Sequence, residues 1–148
     1  MSASGADDLE SRVRRGFAKQ GFMALIGANL VDVGPGVCRL AVPFSDGVTQ
    51  QHGLFHGGVT APLADNAAGI AGYTLMSEGE QPLSVEFKIN FVAPARGETL
   101  EARARVVRNG RRLKHVHAEV FALDRGSEEI VAVALATIAA TTSVSETA

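Results

Sequence analysis

The chain has 148 residues, 46% of them hydrophobic, a formal net charge of −2 and a single cysteine. That length holds one domain with a sizeable core, and the near-neutral balance excludes a general affinity for nucleic acid, so any basic site must be local. Cys38 has no intramolecular disulfide partner and reads as a small core hydrophobe.

The opening, MSASGADDLESRVRR, has no apolar run of the kind that starts a secretory signal. Residues 1–6 and 142–148 are expected to be disordered, with a core over about 20–141. Asp7 and Asp8 mark a helix start, and Val13, Phe17 and Phe22 give it a buried side, which predicts a cover helix over about 7–24. From Gly27 the period changes. Leu30–Val33 and Val37–Phe44, joined by Gly34-Pro35-Gly36, read as a β-hairpin.

The stretch 50–76, QQHGLFHGGVTAPLADNAAGIAGYTLM, predicts a buried helix. Val59, Leu63, Ala67, Ile70 and Thr74 recur at helical spacing, and small residues fill most positions between them. Pro62 requires either a start near Val59 or a local distortion. One carboxylate, Asp65, stands in this helix, followed by Asn66, and no Lys or Arg lies between His56 and Met76 to pair with it. An unpaired buried charge is costly, so Asp65 reads as functional rather than structural. Gly57 and Gly58 lie where backbone N–H groups at a helix start are free to bind an anion or polarise a carbonyl.

After the turn Ser77-Glu78-Gly79-Glu80, Val85, Phe87, Ile89 and Phe91 alternate with Glu86, Lys88 and Asn90. Leu100, Ala102, Ala104 and Val106 alternate likewise, followed by Asn109-Gly110, a two-residue hairpin signal with positive φ. Val116, Ala118, Val120 and Ala122 line one face of the next strand. Asp124-Arg125-Gly126-Ser127 turns, and Ile130–Thr141 is a last strand, apolar on both faces, one of which predicts a subunit contact. This layout is α+β: six antiparallel strands around one long central helix. The longest apolar run, Ile130–Ala140, falls short of the ~20 residues that span a bilayer.

The string G-x-x-H-G-G followed by an acid in a small-residue helix resembles the PaaI-type acyl-CoA thioesterases of the hotdog-fold superfamily. The matching residues are Gln50, Gly53, His56, Gly57, Gly58 and Asp65, within a resemblance over roughly 20–140. The resemblance implies the hotdog fold and hydrolysis of a medium-chain or aromatic acyl-CoA, with no cofactor beyond the coenzyme A of the substrate. It gives Gly58 N–H the thioester oxygen, Asp65 the part of general base or nucleophile, Gln50 the orientation of thioester or water, and His56 the bracing of the loop. Ser84 stands where relatives carry a hydroxyl near the acid; an exposed strand-end serine is the competing reading.

Leu54, Phe55, Asn66, Ile70 and Tyr73 are expected around the acyl group, with Gly57 beside them. Arg108, Arg111, Arg112 and Lys114 form a basic hairpin suited to the phosphates of coenzyme A, or else an ordinary solvated tip. Arg96 is a weaker candidate. His115 and His117 share a strand face, but no third ligand adjoins them, so no metal is expected. The resemblance further implies a homodimer or a homotetramer built as a dimer of dimers, with active sites at the subunit interface; a cytoplasmic location, without membrane or nucleic acid partners, completes the expectation. Two rivals are a non-catalytic acyl-CoA-binding hotdog module, which Asp65 argues against, and a hotdog hydratase or dehydratase, whose Asp-x-x-x-x-His loop is not found.

Overall fold

A computed structural model describes residues 3–142; of the stretches expected to be disordered, 1–2 and 143–148 lie outside the described residues, whereas residues 3–6 are helical, the start of the first helix, which corrects that expectation. Six antiparallel strands form one sheet. They are β1 (Asn29–Gly34), β2 (Val37–Pro43), β3 (Gln81–Phe91), β4 (Thr99–Asn109), β5 (Leu113–Asp124) and β6 (Ser127–Thr141). Their spatial order is β1-β2-β4-β5-β6-β3. β3 therefore does not pair with β4, its successor in sequence: it crosses to the far side, pairs only with β6 and leaves its other edge free.

The central helix α3 spans Gly57–Tyr73 and packs on the concave face of the sheet. Its composition explains the wrap. Leu63, Ala64, Ala67, Ala68 and Ala71 are fully buried against Leu40, Leu100, Val116, Val120 and Ile138, burial worth about 1.5–3 kcal/mol for each large side chain. At Gly72 a Cβ would come within 3.4 Å of the Ile138 Cβ, so here the helix and sheet touch closely. Thr74 closes the helix: its hydroxyl donates to the Ala71 carbonyl at 2.6 Å and accepts the Gly36 N–H at 2.7 Å, tying the helix end to the β1–β2 turn.

Further expectations are corrected or decided. The helix foreseen over about 7–24 is two helices, α1 (Ala3–Ala18) and α2 (Gly21–Leu25). The break comes at Gln20, whose backbone is extended at φ −80°, ψ 98°, and Met23 rather than Phe22 faces the core. Pro62 lies inside α3, which starts at Gly57, so a later start is excluded; the Gly58 carbonyl loses its helical donor. Val85 does not continue the buried alternation of β3. A bulge between Ser84 and Glu86 turns it outward, 55% exposed, and Phe91 is exposed as well, leaving Phe87 and Ile89 against the core.

Asn109-Gly110 is not a two-residue turn either. Neither residue has positive φ; β4 ends at Asn109 and β5 resumes at Leu113, because a bulge between Val106 and Arg108 and the buried Lys114 ammonium reshape the tip. Lys114 Nζ donates to the Gly110 carbonyl at 2.7 Å. The tight hairpin with two positive φ values comes one turn later, at Arg125 (47°) and Gly126 (83°). Cys38 is buried as expected, and burial pushes its thiol up to about 12.

Candidate active site

The loop before α3 is fixed by backbone hydrogen bonds. Phe55 N–H donates to the Ala95 carbonyl at 3.1 Å, His56 N–H to Val48 at 2.9 Å, and Gln50 N–H to Leu54 at 2.8 Å. Gln50 Oε1 accepts the His52 N–H, so the amide oxygen is held by its own loop and its Nε2 donors remain for the cleft that Gln50 lines. His56 is the N-cap of α3. Its extended backbone (φ −70°, ψ 137°) lets Nδ1 accept the Gly58 N–H at 2.7 Å.

That bond decides which donor at the helix start is available. The Gly58 N–H, which the family resemblance assigns to the thioester oxygen, is committed to His56. Val59 and Thr60 N–H groups both turn back to the His56 carbonyl. Among the described residues the Gly57 N–H alone of this first turn forms no hydrogen bond, and Gly57 lines a cleft of about 380 Å³ with Gln50, Leu54, Phe55 and Phe91. The Gly57 position is narrow, since a Cβ there would meet the Phe91 ring at 3.3 Å.

Asp65 stands elsewhere. Ala61, Asp65, Gly69 and Tyr73 follow one another at i, i+4 spacing on the half-buried face of α3, turned from the sheet. Ser84, brought up by β3, donates its hydroxyl proton to Asp65 Oδ1 at 2.8 Å, so the serine is not an idle strand-end residue. Among the described residues Asp65 has no ion pair. Beside the acid opens a cleft of about 220 Å³ lined by Gln20, Asn66, Gly69, Ile70, Pro82 and Ser84. Asn66 and Gln20 are joined amide to amide. Sequence reading missed Gln20; the Gly21 that follows it, a helix breaker, was the available signal.

The structure thus separates the expected residues into two groups. Gln50, Phe55, His56, Gly57 and Gly58 cluster at the helix start, while Asp65, Asn66, Tyr73 and Ser84 lie along its open face. Eight residues at 1.5 Å each put Gly57 and Asp65 about 12 Å apart along the helix axis. Arg108, Arg111 and Arg112 are exposed near the other end of α3, where Gly72 meets Lys114, and do not adjoin the Gly57 cleft of the same protomer. His115 and His117 lie half-buried on the sheet's opposite face, His115 within 3.4 Å of the Thr137 hydroxyl. Among the described residues no three His, Cys, Asp or Glu side chains are grouped to hold a metal, and no helix is long and apolar enough to cross a membrane.

A small-residue helix wrapped by a six-stranded antiparallel sheet is the hotdog fold, and the class it defines here is that of thioester hydrolases. Residues 52–129 match the thioesterase superfamily, and the chain belongs to it. It is similar to a thioesterase family protein of Silicibacter pomeroyi of known structure, 40% identical with a TM-score of 0.87 over 89% of this chain and 97% of that one. A candidate esterase of Saccharolobus solfataricus is 32% identical over 112 residues, 76% of this chain and 72% of its own. The PaaI protein of the E. coli phenylacetic acid degradation operon shares the fold at 18% identity, with a TM-score of 0.80 over 92% of this chain and 95% of that one.

Proposed function

We propose that the protein is a cytoplasmic acyl-CoA thioesterase, active as a homodimer or a dimer of dimers, acting on a medium-chain or aromatic acyl group. The observation that carries the reading is the separation of Gly57 from Asp65. A carbonyl held by the one cannot be attacked from the other across about 12 Å, so a working site needs Gly57 of one protomer and Asp65 of a second. Hotdog thioesterases are typically oligomeric, and the free edge of β3, flanked by exposed Leu83, Val85, Phe91 and Val92, is a surface for a second copy to extend the sheet.

In the site so formed the thioester oxygen accepts the Gly57 N–H, at the positive end of α3, and negative charge building on it is stabilised there. Gln50 orients the thioester or the water through Nε2. Asp65, steadied by Ser84, either removes a proton from water as its oxygen attacks the carbonyl carbon, or attacks directly to give an acyl-aspartyl anhydride that water then opens. In both routes the carbon–sulfur bond breaks, the sulfur leaves as thiolate and takes a proton, and the acid is released. No metal or organic cofactor enters. His56 braces the loop, and Arg108, Arg111 and Arg112 hold the phosphates of coenzyme A.

The test is thiol release from a panel of aliphatic and aromatic acyl-CoAs, with wild type beside Asp65→Asn. A fall of at least about a hundredfold in the variant is the expected result. A wild type that binds these esters without cleaving them refutes the enzyme reading, and activity that survives the substitution refutes the role of Asp65.

A further inference from the structure

The cleft at the start of α3 and the cleft beside Asp65 differ in character. Gln20, Asn66 and Ser84 give the Asp65 cleft two amides and a hydroxyl beside its carboxylate. The larger cleft at Gly57, about 380 Å³, has Leu54, Phe55, Phe91, Ala93, Pro94 and Val131 in its walls. Among the described residues no charged side chain lines it. Its polar side chains are Gln50 and Thr60, and Thr60 is only 1% exposed, so it offers a ligand almost nothing.

The backbone of these walls is largely paired within the protein. Phe55 N–H donates to the Ala95 carbonyl at 3.1 Å, and Arg96 N–H donates to the Pro94 carbonyl at 3.0 Å. The Val92 and Ala93 N–H groups both donate to the Val131 carbonyl, at 2.9 and 3.4 Å. Pro94 has no N–H to offer. A ligand group that needs hydrogen bonds gives up its hydration on entering and finds these partners already taken, which leaves it unpaired. A hydrocarbon forfeits no hydrogen bond there and gains by leaving water in proportion to its area.

We infer that the Gly57 cleft holds the acyl group, and that this group is a plain hydrocarbon, an alkyl chain or a single aryl ring, with neither charge nor hydroxyl along it. The inference rests on the thioesterase reading: with the thioester oxygen on the Gly57 N–H, one arm of the substrate continues into the cleft that Gly57 lines. The pantetheine arm carries amides and a hydroxyl and leads to charged phosphates, which these walls do not satisfy, so the acyl arm is the one that fits. A cleft of about 380 Å³ lies near the lower end of the roughly 300–1,000 Å³ of small-molecule sites, which limits the chain to medium length. Leu54 and Phe55 thus take the place expected of them, whereas Asn66, Ile70 and Tyr73 line other clefts. Ala93 becomes a specificity-determining residue, because it is a small, half-buried part of the wall and a larger side chain there fills the cleft.

The test compares kcat/KM for acetyl-CoA, octanoyl-CoA and benzoyl-CoA, and for counterparts of the last two that end in a carboxylate, with wild type and Ala93→Phe. The wild type is expected to favour the better of the two hydrocarbon esters at least about tenfold over acetyl-CoA and at least about tenfold over its own carboxylate counterpart. Ala93→Phe is expected to lose about ten- to a hundredfold on that ester and little on acetyl-CoA. All esters are read in one preparation, so a misfolded variant, slow on every one, is distinguished from a selective loss, and the wild-type comparisons stand without any variant. A carboxylate counterpart cleaved as fast as its parent, an acetyl ester cleaved best, or a wild-type preference that persists in Ala93→Phe overturns this inference and leaves the thioesterase reading intact. A wild type inert toward every thioester overturns both.

Discussion

Gly57 and Asp65 share one helix and face different clefts, Gly57 among Gln50 and Phe91 and Asp65 beside Ser84 and Gly69. Their separation makes a prediction that needs no substrate identity beyond one active thioester. Asp65→Asn and a bulky Gly57→Val variant are each expected to be inactive as homodimers. Mixed and allowed to exchange, half of the dimers become heterodimers, each with one site whose two halves are both intact. About a quarter of wild-type activity should return, as expected for an isologous interface. No recovery after exchange verified by mass spectrometry would mean that each site lies within one protomer.

The bond from Gly58 N–H to His56 Nδ1 makes a different prediction, about stability. His56→Ala removes the N-cap of α3 and is expected to cost about 0.5–2 kcal/mol. Gly58→Ala breaks the same bond from the other side, because its Cβ would lie 2.7 Å from Nδ1 and displace the ring. The two losses should therefore not add in the double variant, which calorimetric melting can read at about 2–4 °C per kcal/mol for a chain of this size. The Gly57 N–H stays in place in His56→Ala, so its kcat is expected to fall by about tenfold at most, well short of Asp65→Asn.

Much of this was legible in the sequence because it is local. The alternation around Leu100–Val106 and Val116–Ala122 specifies which face is buried, and the small-residue run from Val59 to Gly72 can only be a helix that another surface closely covers. Asp65 stood out because nothing near it in sequence could neutralise it. What escaped depends on contacts distant in the chain. The Asn109-Gly110 tip was misread because Lys114, its Cβ packed beside Gly72 near the end of α3, reaches back with its ammonium to hold the Gly110 carbonyl in a wider loop. The outward turn of Val85 comes from its register against Thr137 and Ile138. Which glycine keeps a free N–H depends on one ring nitrogen of His56, and Gln20 comes beside Asp65 only because the segment after α1 packs against α3.

The exposed hairpin arginines are a prediction about the nucleotide end of the substrate. Replacing Arg108, Arg111 and Arg112 together by Ala is expected to raise KM for an acyl-CoA about tenfold or more, with kcat little changed, since phosphate contacts far from the carbonyl bind ground state and transition state alike. The same acyl group on pantetheine lacks the nucleotide phosphates and should show no change. Rising salt should weaken wild-type binding of the CoA ester and flatten the difference between the two proteins. No rise in KM for either thioester would make the hairpin an ordinary solvated tip, and an equal rise for both would refute a role at the nucleotide phosphates.

Cys38 supplies the pH prediction. Its thiol ionises near 9.0 when the chain is unfolded and at about 12 in the folded protein, chiefly because burial disfavours the thiolate and secondarily because Asp32 is near. The folded state therefore keeps a proton that the unfolded state gives up between those values. Stability from this group is complete below pH 9 and declines as pH rises toward 12, since fewer protons are bound in the unfolded state over that interval. Urea titrations at pH 8 and pH 10.5 should show the loss, and Cys38→Ala should reduce its size. A thiol reagent at pH 8 should leave the native protein unlabelled and modify one thiol per chain once urea is added. Rapid labelling of the native protein would mean that the strand pair β1–β2 opens far more readily than its buried face implies.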